Sequence, residues 1–222
     1  MKKGILSFIF TLSLIIVLIL TTVQIITFDI NYFESKFNEY NIYEKTGIKR
    51  DNLLNITEKM LDYLKGEKDN LIIKETIKGE KQIVFGKRER LHMDDVKKLF
   101  INGFFIRNIS FFVLIISFFL LYKYYKKYLV KLFMYAPIIS IIFLMMFGIL
   151  ITSNFNRYFT LFHEILFTND LWLLDPRTDI LIQMLPLNFF YSISLKIIIY
   201  FLVELFIIFL IGYSLNKRYK QV

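Results

Sequence analysis

The chain contains no cysteine, which excludes disulfides, thiolate zinc sites, iron–sulfur clusters and a cysteine nucleophile. Histidine is almost missing as well: His92 and His163 are the two residues through which imidazole chemistry near neutral pH can pass. Tryptophan occurs once, at Trp172, and alanine once, at Ala136, amid abundant Ile, Phe, Lys and Asn. There is no G-x-S-x-G elbow, P-loop or Gly-rich dinucleotide fingerprint, so a serine hydrolase, an NTPase and a dinucleotide enzyme lack their usual marks.

Acidic residues are missing from three basic stretches. Lys2 and Lys3 open the chain, Lys123, Lys126, Lys127 and Lys131 lie mid-sequence, and Lys217, Arg218 and Lys220 close it. These nine cations account for the whole net charge of +9, since acids and bases balance elsewhere. Such placement is the positive-inside pattern of a membrane protein and gives no support to nucleic-acid binding.

What the chain has in plenty is apolar surface: 56% hydrophobic and 18% aromatic residues, with a mean hydropathy of +0.51. Four runs, 4–28, 99–122, 132–152 and 189–215, are long enough for the roughly 20 apolar residues that a bilayer crossing takes. The first is too long for a signal peptide and no A-x-A site follows it, so it reads as an uncleaved anchor. The expected fold is an all-α membrane protein, a four-helix transmembrane bundle with a small extracellular α/β cap between spans 1 and 2. Both termini, the loop 123–131 and the tail 216–222 are expected in the cytoplasm, with residues 29–98 and 153–188 outside.

Within 29–98, DNLLNITEKMLDYLKG has the apolar spacing of an amphipathic helix, with Asp51 or Asn52 as its N-cap and Gly66 as its stop. LIIKETI and QIVF around KGEK suggest a short hairpin that must pack on something to persist. In RLHMDDVKKLFINGFF, Asp94 and Asp95 are expected in a first helical turn, where carboxylates complement the helix dipole, with His92 at that helix's N-terminus.

The two histidines thus fall on one membrane face, among Asp94, Asp95, Glu164, Asp170, Asp175 and Asp179. That is a general base with carboxylates able to orient it. His163-Glu164 begins like HExxH, but Phe167 stands where the second histidine is required, so the zinc motif is absent. Two histidines and a carboxylate remain a possible ligand set for a metal-dependent hydrolase or acyltransferase. Trp172 and Asp175-Pro176 also suit an interfacial anchor and a turn. Arg107, Lys196 and Glu204 lie within apolar runs, where ionisable groups face a bundle interior or a wet cavity. In a non-enzymatic sensor, Glu204 would pair with Arg107 while the histidines report pH.

H-x-D-D-V-K at His92 and F-H-E-x-x-F-x-N-D-x-W-x-x-D-P at His163, in this order before spans 2 and 4, resemble the two signature blocks of the bacterial lipoprotein intramolecular transacylases. The resemblance covers essentially the whole chain, though residues 29–90 carry no alignable motif. It implies transfer of the sn-2 acyl chain of an S-diacylglyceryl cysteine onto that cysteine's α-amine, giving the lyso form. Diacylglyceryl-modified lipoproteins are then the substrate, the bilayer the second partner, and no cofactor is needed. It also implies that His92 and His163 are catalytic. Sequence leans to His92 as base, with Glu164 or Asp95 fixing a tautomer and Arg107 and Arg177 polarising an ester carbonyl.

Overall fold

The structure, a computed structural model, describes residues 2–77 and 79–221. Its elements are α1 (Lys2–Thr27), α2 (Ile30–Glu39), α3 (Ile42–Thr46), α4 (Arg50–Lys65), β1 (Lys74–Ile77), β2 (Glu80–Ile83), α5 (Lys87–Ser153), α6 (Phe155–Leu166), α7 (Ile180–Met184) and α8 (Leu187–Gln221). The chain is mostly helical. The hairpin forms as expected, β1 pairing antiparallel to β2 with Lys74 opposite Ile83 and Ile77 opposite Glu80.

Among the described residues three helices, not four, are long and apolar enough to cross a membrane: Lys3–Thr27, Lys87–Met146 and Leu187–Arg218. The difference arises at 123–131, expected as a loop. These residues are helical except Tyr125, whose φ of −143° and ψ of 38° break the run. The stretch KYYKKYLVK holds no Gly or Pro to end a helix, so a single residue makes the interruption. An unbroken 60-residue helix would measure about 90 Å at 1.5 Å per residue, some three times the hydrocarbon thickness. The break at Tyr125 separates the 99–122 and 132–152 runs.

The chain divides into two compact units, with boundaries inside α1, α5 and α8 and one between α5 and α6. The first comprises Met1–Gln24, Phe104–Asn154 and Leu195–Val222. Phe10, Leu14, Leu121 and Leu129 form its buried centre, with Phe118, Tyr125, Leu132 and Ile208 packed around them. Phe10 meets Phe133 edge-on at 5.7 Å, so residues on both sides of the break pack on α1. Only 11–17% of the most apolar windows of the three long helices is buried, and Phe112, Ile116, Phe119, Ile142 and Phe143 point outward. Apolar surface on that scale is tolerable when lipid is the solvent.

The second unit comprises Ile25–Gly103 and Phe155–Ser194, so the two segments expected outside the membrane fold together around one core. α4 presents Leu53, Ile56, Met60 and Leu64 to it, on the spacing read from sequence. Its start differs: the helix begins at Arg50 behind Lys49, and Asp51 lies in the first turn, so neither Asp51 nor Asn52 is the cap. Gly66 ends it as expected, at a φ of +87° that a side chain would oppose. On α2, Phe33 packs against Phe189 at the start of α8, 4.9 Å between rings, and the Tyr32 hydroxyl meets Ser192 Oγ at 2.8 Å.

In the first unit a Cβ on Gly212 would lie 2.7 Å from the Phe133 carbonyl carbon and 2.9 Å from the Met134 nitrogen. Backbone cannot yield as a flexible side chain does, so Gly212→Ala is expected to cost about 1–3 kcal/mol through overpacking. A lowered thermal midpoint in detergent micelles checks this. Gly103→Ala, with nothing within 4 Å, is expected to leave the midpoint unchanged or slightly raised.

Candidate functional site

The first wall of the site is the start of α5. The helix begins at Lys87, which makes Gly86 the N-cap position and Glu89 the third helical residue, and the Glu89 carboxylate accepts from the Gly86 N–H. This is one half of a capping box. Asp94 and Asp95, expected in the first turn, instead lie two turns in, and His92 sits in the second turn rather than at the N-terminus. The early start follows from Glu89, which satisfies an orphan amide that Asp94 is too far along to reach. Glu89, His92 and Met93 form one buried stripe at i, i+3 and i+4.

The second wall is α6. Phe155, Phe159 and His163 recur every four residues and so share a face. Phe155 meets Tyr191 at 5.2 Å and Phe159 meets Phe190 at 4.9 Å, which seats α6 on the opening turns of α8. His163 Nδ1 lies 2.7 Å from the Phe159 carbonyl oxygen. A carbonyl can only accept, so Nδ1 carries the proton and Nε2 keeps its lone pair in the neutral ring.

The two rings meet. His92 and His163 lie 6.0 Å apart between centroids, with Phe167 5.4 Å from one and 5.6 Å from the other, and Trp172 tilted over His163 at 5.0 Å. His92, His163 and Trp172, together with Phe159, Leu181, Ile182 and Leu185, line a cavity of about 60 Å³. Each histidine is only 8% exposed. Loss of hydration holds both rings below the usual imidazole range: His92 is lowered to about 4, first by burial and then by His163, against an opposing pull from Asp95. His163 is lowered by burial, partly offset by its bond to Phe159. At neutral pH the cavity therefore holds two uncharged imidazoles.

The acidic residues are distributed differently from expectation. Asp95 accepts from Asn169 Nδ2 at 2.9 Å and pairs with Lys98, and the Asn169 bond is the main reason its carboxyl is held low. Asp94 accepts from the Tyr63 hydroxyl and pairs with Lys98 at 2.7 Å. Asp170 is tied to Arg88 through its carbonyl and its carboxylate. These bonds fasten 169–170 to α5. Glu164 is exposed, and the tautomer of His163 is set by the Phe159 carbonyl rather than by Glu164 or Asp95.

Asp175 and Arg177 form a closed turn of their own, bonded at 2.7–3.2 Å, and Arg177 holds the Asp175 carboxyl down at about 2. In the first unit Glu204 accepts from Thr22 Oγ1 at 2.8 Å, while Arg107 bonds Asn108 and lies over the Phe104 ring, so the Arg107–Glu204 pair that the sensor alternative calls for does not form. Among the described residues no group of three or more His, Asp and Glu is arranged to hold a metal ion.

Sequence reading missed Glu89. Its signal was present, an acid three residues after a glycine ahead of an apolar-periodic run. Glu89 is 2% exposed and also accepts from the Leu181 N–H at 2.7 Å, and desolvation raises its pKa against the pull of these amides.

A helical protein with outward-facing apolar helices and a small cavity lined by two neutral imidazoles is an integral membrane protein with a candidate site for proton transfer. A model of the family "Lipoprotein intramolecular transacylase Lit" matches residues 8–190. The chain belongs to that family. Three solved structures share its fold, all of the membrane integral lipoprotein intramolecular transacylase Lit from Bacillus cereus. One matches at 20% identity and a TM-score of 0.86, covering 100% of this chain and 99% of that one. Two histidine variants, one to alanine and one to arginine, match at 20% and 21% identity with TM-scores of 0.82 and 0.81. The first covers 100% of this chain and 96% of its own, the second 99% and 94%. No curated protein matches the chain.

Because burial lowers both imidazole pKa values, the unfolded chain, with pKa near 6.5, binds protons that the folded chain refuses until about pH 4 at His92. Stability from the neutral pair is complete above about pH 6.5 and declines as pH falls toward 4, by about 3 kcal/mol for His92. Thermal midpoints measured across this range are expected to drop on acidification, with a shallower drop for His92→Phe.

Proposed function

We propose that the chain catalyses an O-to-N acyl transfer within one substrate, moving the sn-2 acyl chain of an S-diacylglyceryl cysteine onto the α-amine of that same cysteine in a membrane lipoprotein. The observation that carries this reading is the convergence of the chain's two histidines, 6.0 Å apart and shielded from water, in a member of a transacylase family. Donor ester and acceptor amine belong to one molecule, and ester to amide is downhill. That downhill exchange requires no nucleotide or acyl carrier, and holding the two groups together lowers the barrier by up to about 7–11 kcal/mol.

An α-amine has a pKa of about 7.7–8.0 and attacks only when neutral. His163, with Nδ1–H committed to Phe159, offers the Nε2 lone pair and is assigned as the base, in place of the preference for His92 drawn from sequence. His92, neutral at working pH, donates an N–H to the ester carbonyl oxygen as negative charge develops there. The amine nitrogen bonds to the carbonyl carbon and its proton passes to His163. The C–O bond to glycerol then breaks, and the departing sn-2 oxygen takes that proton. Amide and free hydroxyl result, with no water consumed. Trp172, tilted over His163 at 5.0 Å, limits the rotation of that ring.

The membrane arrangement belongs to the same reading. The four apolar runs separated by the break at Tyr125 and by the second unit, with cations at 2–3, 123–131 and 217–220, support four crossings with both termini cytoplasmic. Residues 29–98 and 153–188 then lie outside, where acyl chains end and the ester and amine meet water.

The test is tandem mass spectrometry of N-terminal lipopeptides from a host that makes only diacyl lipoproteins. With the chain expressed, one fatty acid is expected to move from glycerol to nitrogen. His92→Ala and His163→Ala are each expected to lower the rate about 10²–10⁴-fold, and a chelator to leave it unchanged. Lipopeptides identical with and without the chain would overturn the proposal, and chelator-sensitive activity would favour the metal-dependent alternative.

A further inference from the structure

We infer that Glu89 is a positioning residue for this transfer, holding the helix that carries His92 against the segment that walls the cavity; the inference rests on the function proposed above. Its two oxygens do different work. One accepts the Gly86 N–H at the head of α5, and the other accepts the Leu181 N–H at the head of α7, with the Ile180 amide also contributing. α7 needs that help, because Asp179 at its N-cap makes no capping bond and its carboxylate instead accepts from the Asp175 N–H at 2.7 Å. Leu181 and Ile182 line the cavity, and His92 lies one helical turn beyond Glu89 on the same buried stripe.

The carboxylate therefore sets the separation between His92 and the opposite wall without touching the reacting atoms. Both oxygens must accept. In Gln one becomes an NH₂ that faces an N–H donor, and one buried amide loses its partner. Asp keeps the charge but falls a methylene short of spanning both amides. Ala releases both. A shift of about 1 Å in a catalytic group can cost 10²-fold in rate, so the consequence is expected in kcat and not in substrate capture.

The experiment measures kcat and KM of the purified full chain on a diacylated lipopeptide in micelles for Glu89→Gln, Glu89→Asp and Glu89→Ala, with thermal midpoints recorded beside them. Expected are kcat losses of about tenfold for Gln and Asp and about a hundredfold for Ala, with KM within about twofold of the parent. Assays run well below each midpoint, and should Ala not fold, Gln and Asp carry the test. Folded variants that keep kcat within twofold, or that change KM alone, would overturn the inference. His92→Ala is assayed in parallel. If it keeps full activity the proposed function itself has failed; if it is inactive while the Glu89 variants are normal, the role of Glu89 alone is refuted.

Discussion

The site depends on a long-range join between the first turns of α5 and the segment running from α6 into α8. Neither partner can make the cavity alone, since one brings His92 and the other His163, Trp172 and the apolar walls. Phe167 lies within ring contact of both histidines, and Phe159 and Phe190 fill the space behind. Ring pairs of this kind contribute about 0.5–1.5 kcal/mol each beyond their burial. The same packing removes water, and removing water is what lowers the imidazole pKa values. Geometry and protonation state thus have one cause.

The two units differ in how they are built. In the first, apolar side chains face outward, and backbone polar groups are satisfied within helices, as hydrocarbon requires. The acid within its long apolar helix α8, Glu204, bonds Thr22. The second unit has an inward-facing core, exposed ion pairs and a hairpin. In the proposed topology this difference locates the chemistry: a diacylated cysteine keeps its chains in lipid while its ester and amine reach the surface.

Residues with strong local signals were legible. The hairpin around Gly79, the stop at Gly66 and the apolar runs follow from backbone freedom and hydrophobic periodicity, which act over a few residues. His92 and His163 stood out by scarcity. Three features were not legible. A single residue, Tyr125, carries the break in α5 because nothing in KYYKKYLVK opposes helix on either side. Asp175, Arg177 and Glu164 have the composition of a site, yet the first two bond each other across a turn and the third is exposed. Glu89 looked like one more surface acid, since its second partner, Leu181, is remote in sequence.

Composition and order alone determined that this chain lives in a membrane, that it has no thiol of its own, and that it has only two imidazoles, because these depend on which groups exist and on their local spacing. Tertiary structure decided how near those side chains come, which nitrogen of His163 keeps its lone pair, and which carboxylate bonds the amides beside the cavity. Such properties are set by neighbours that the fold brings together from distant parts of the chain, and hydrogen bonding and desolvation act only across the distances folding creates.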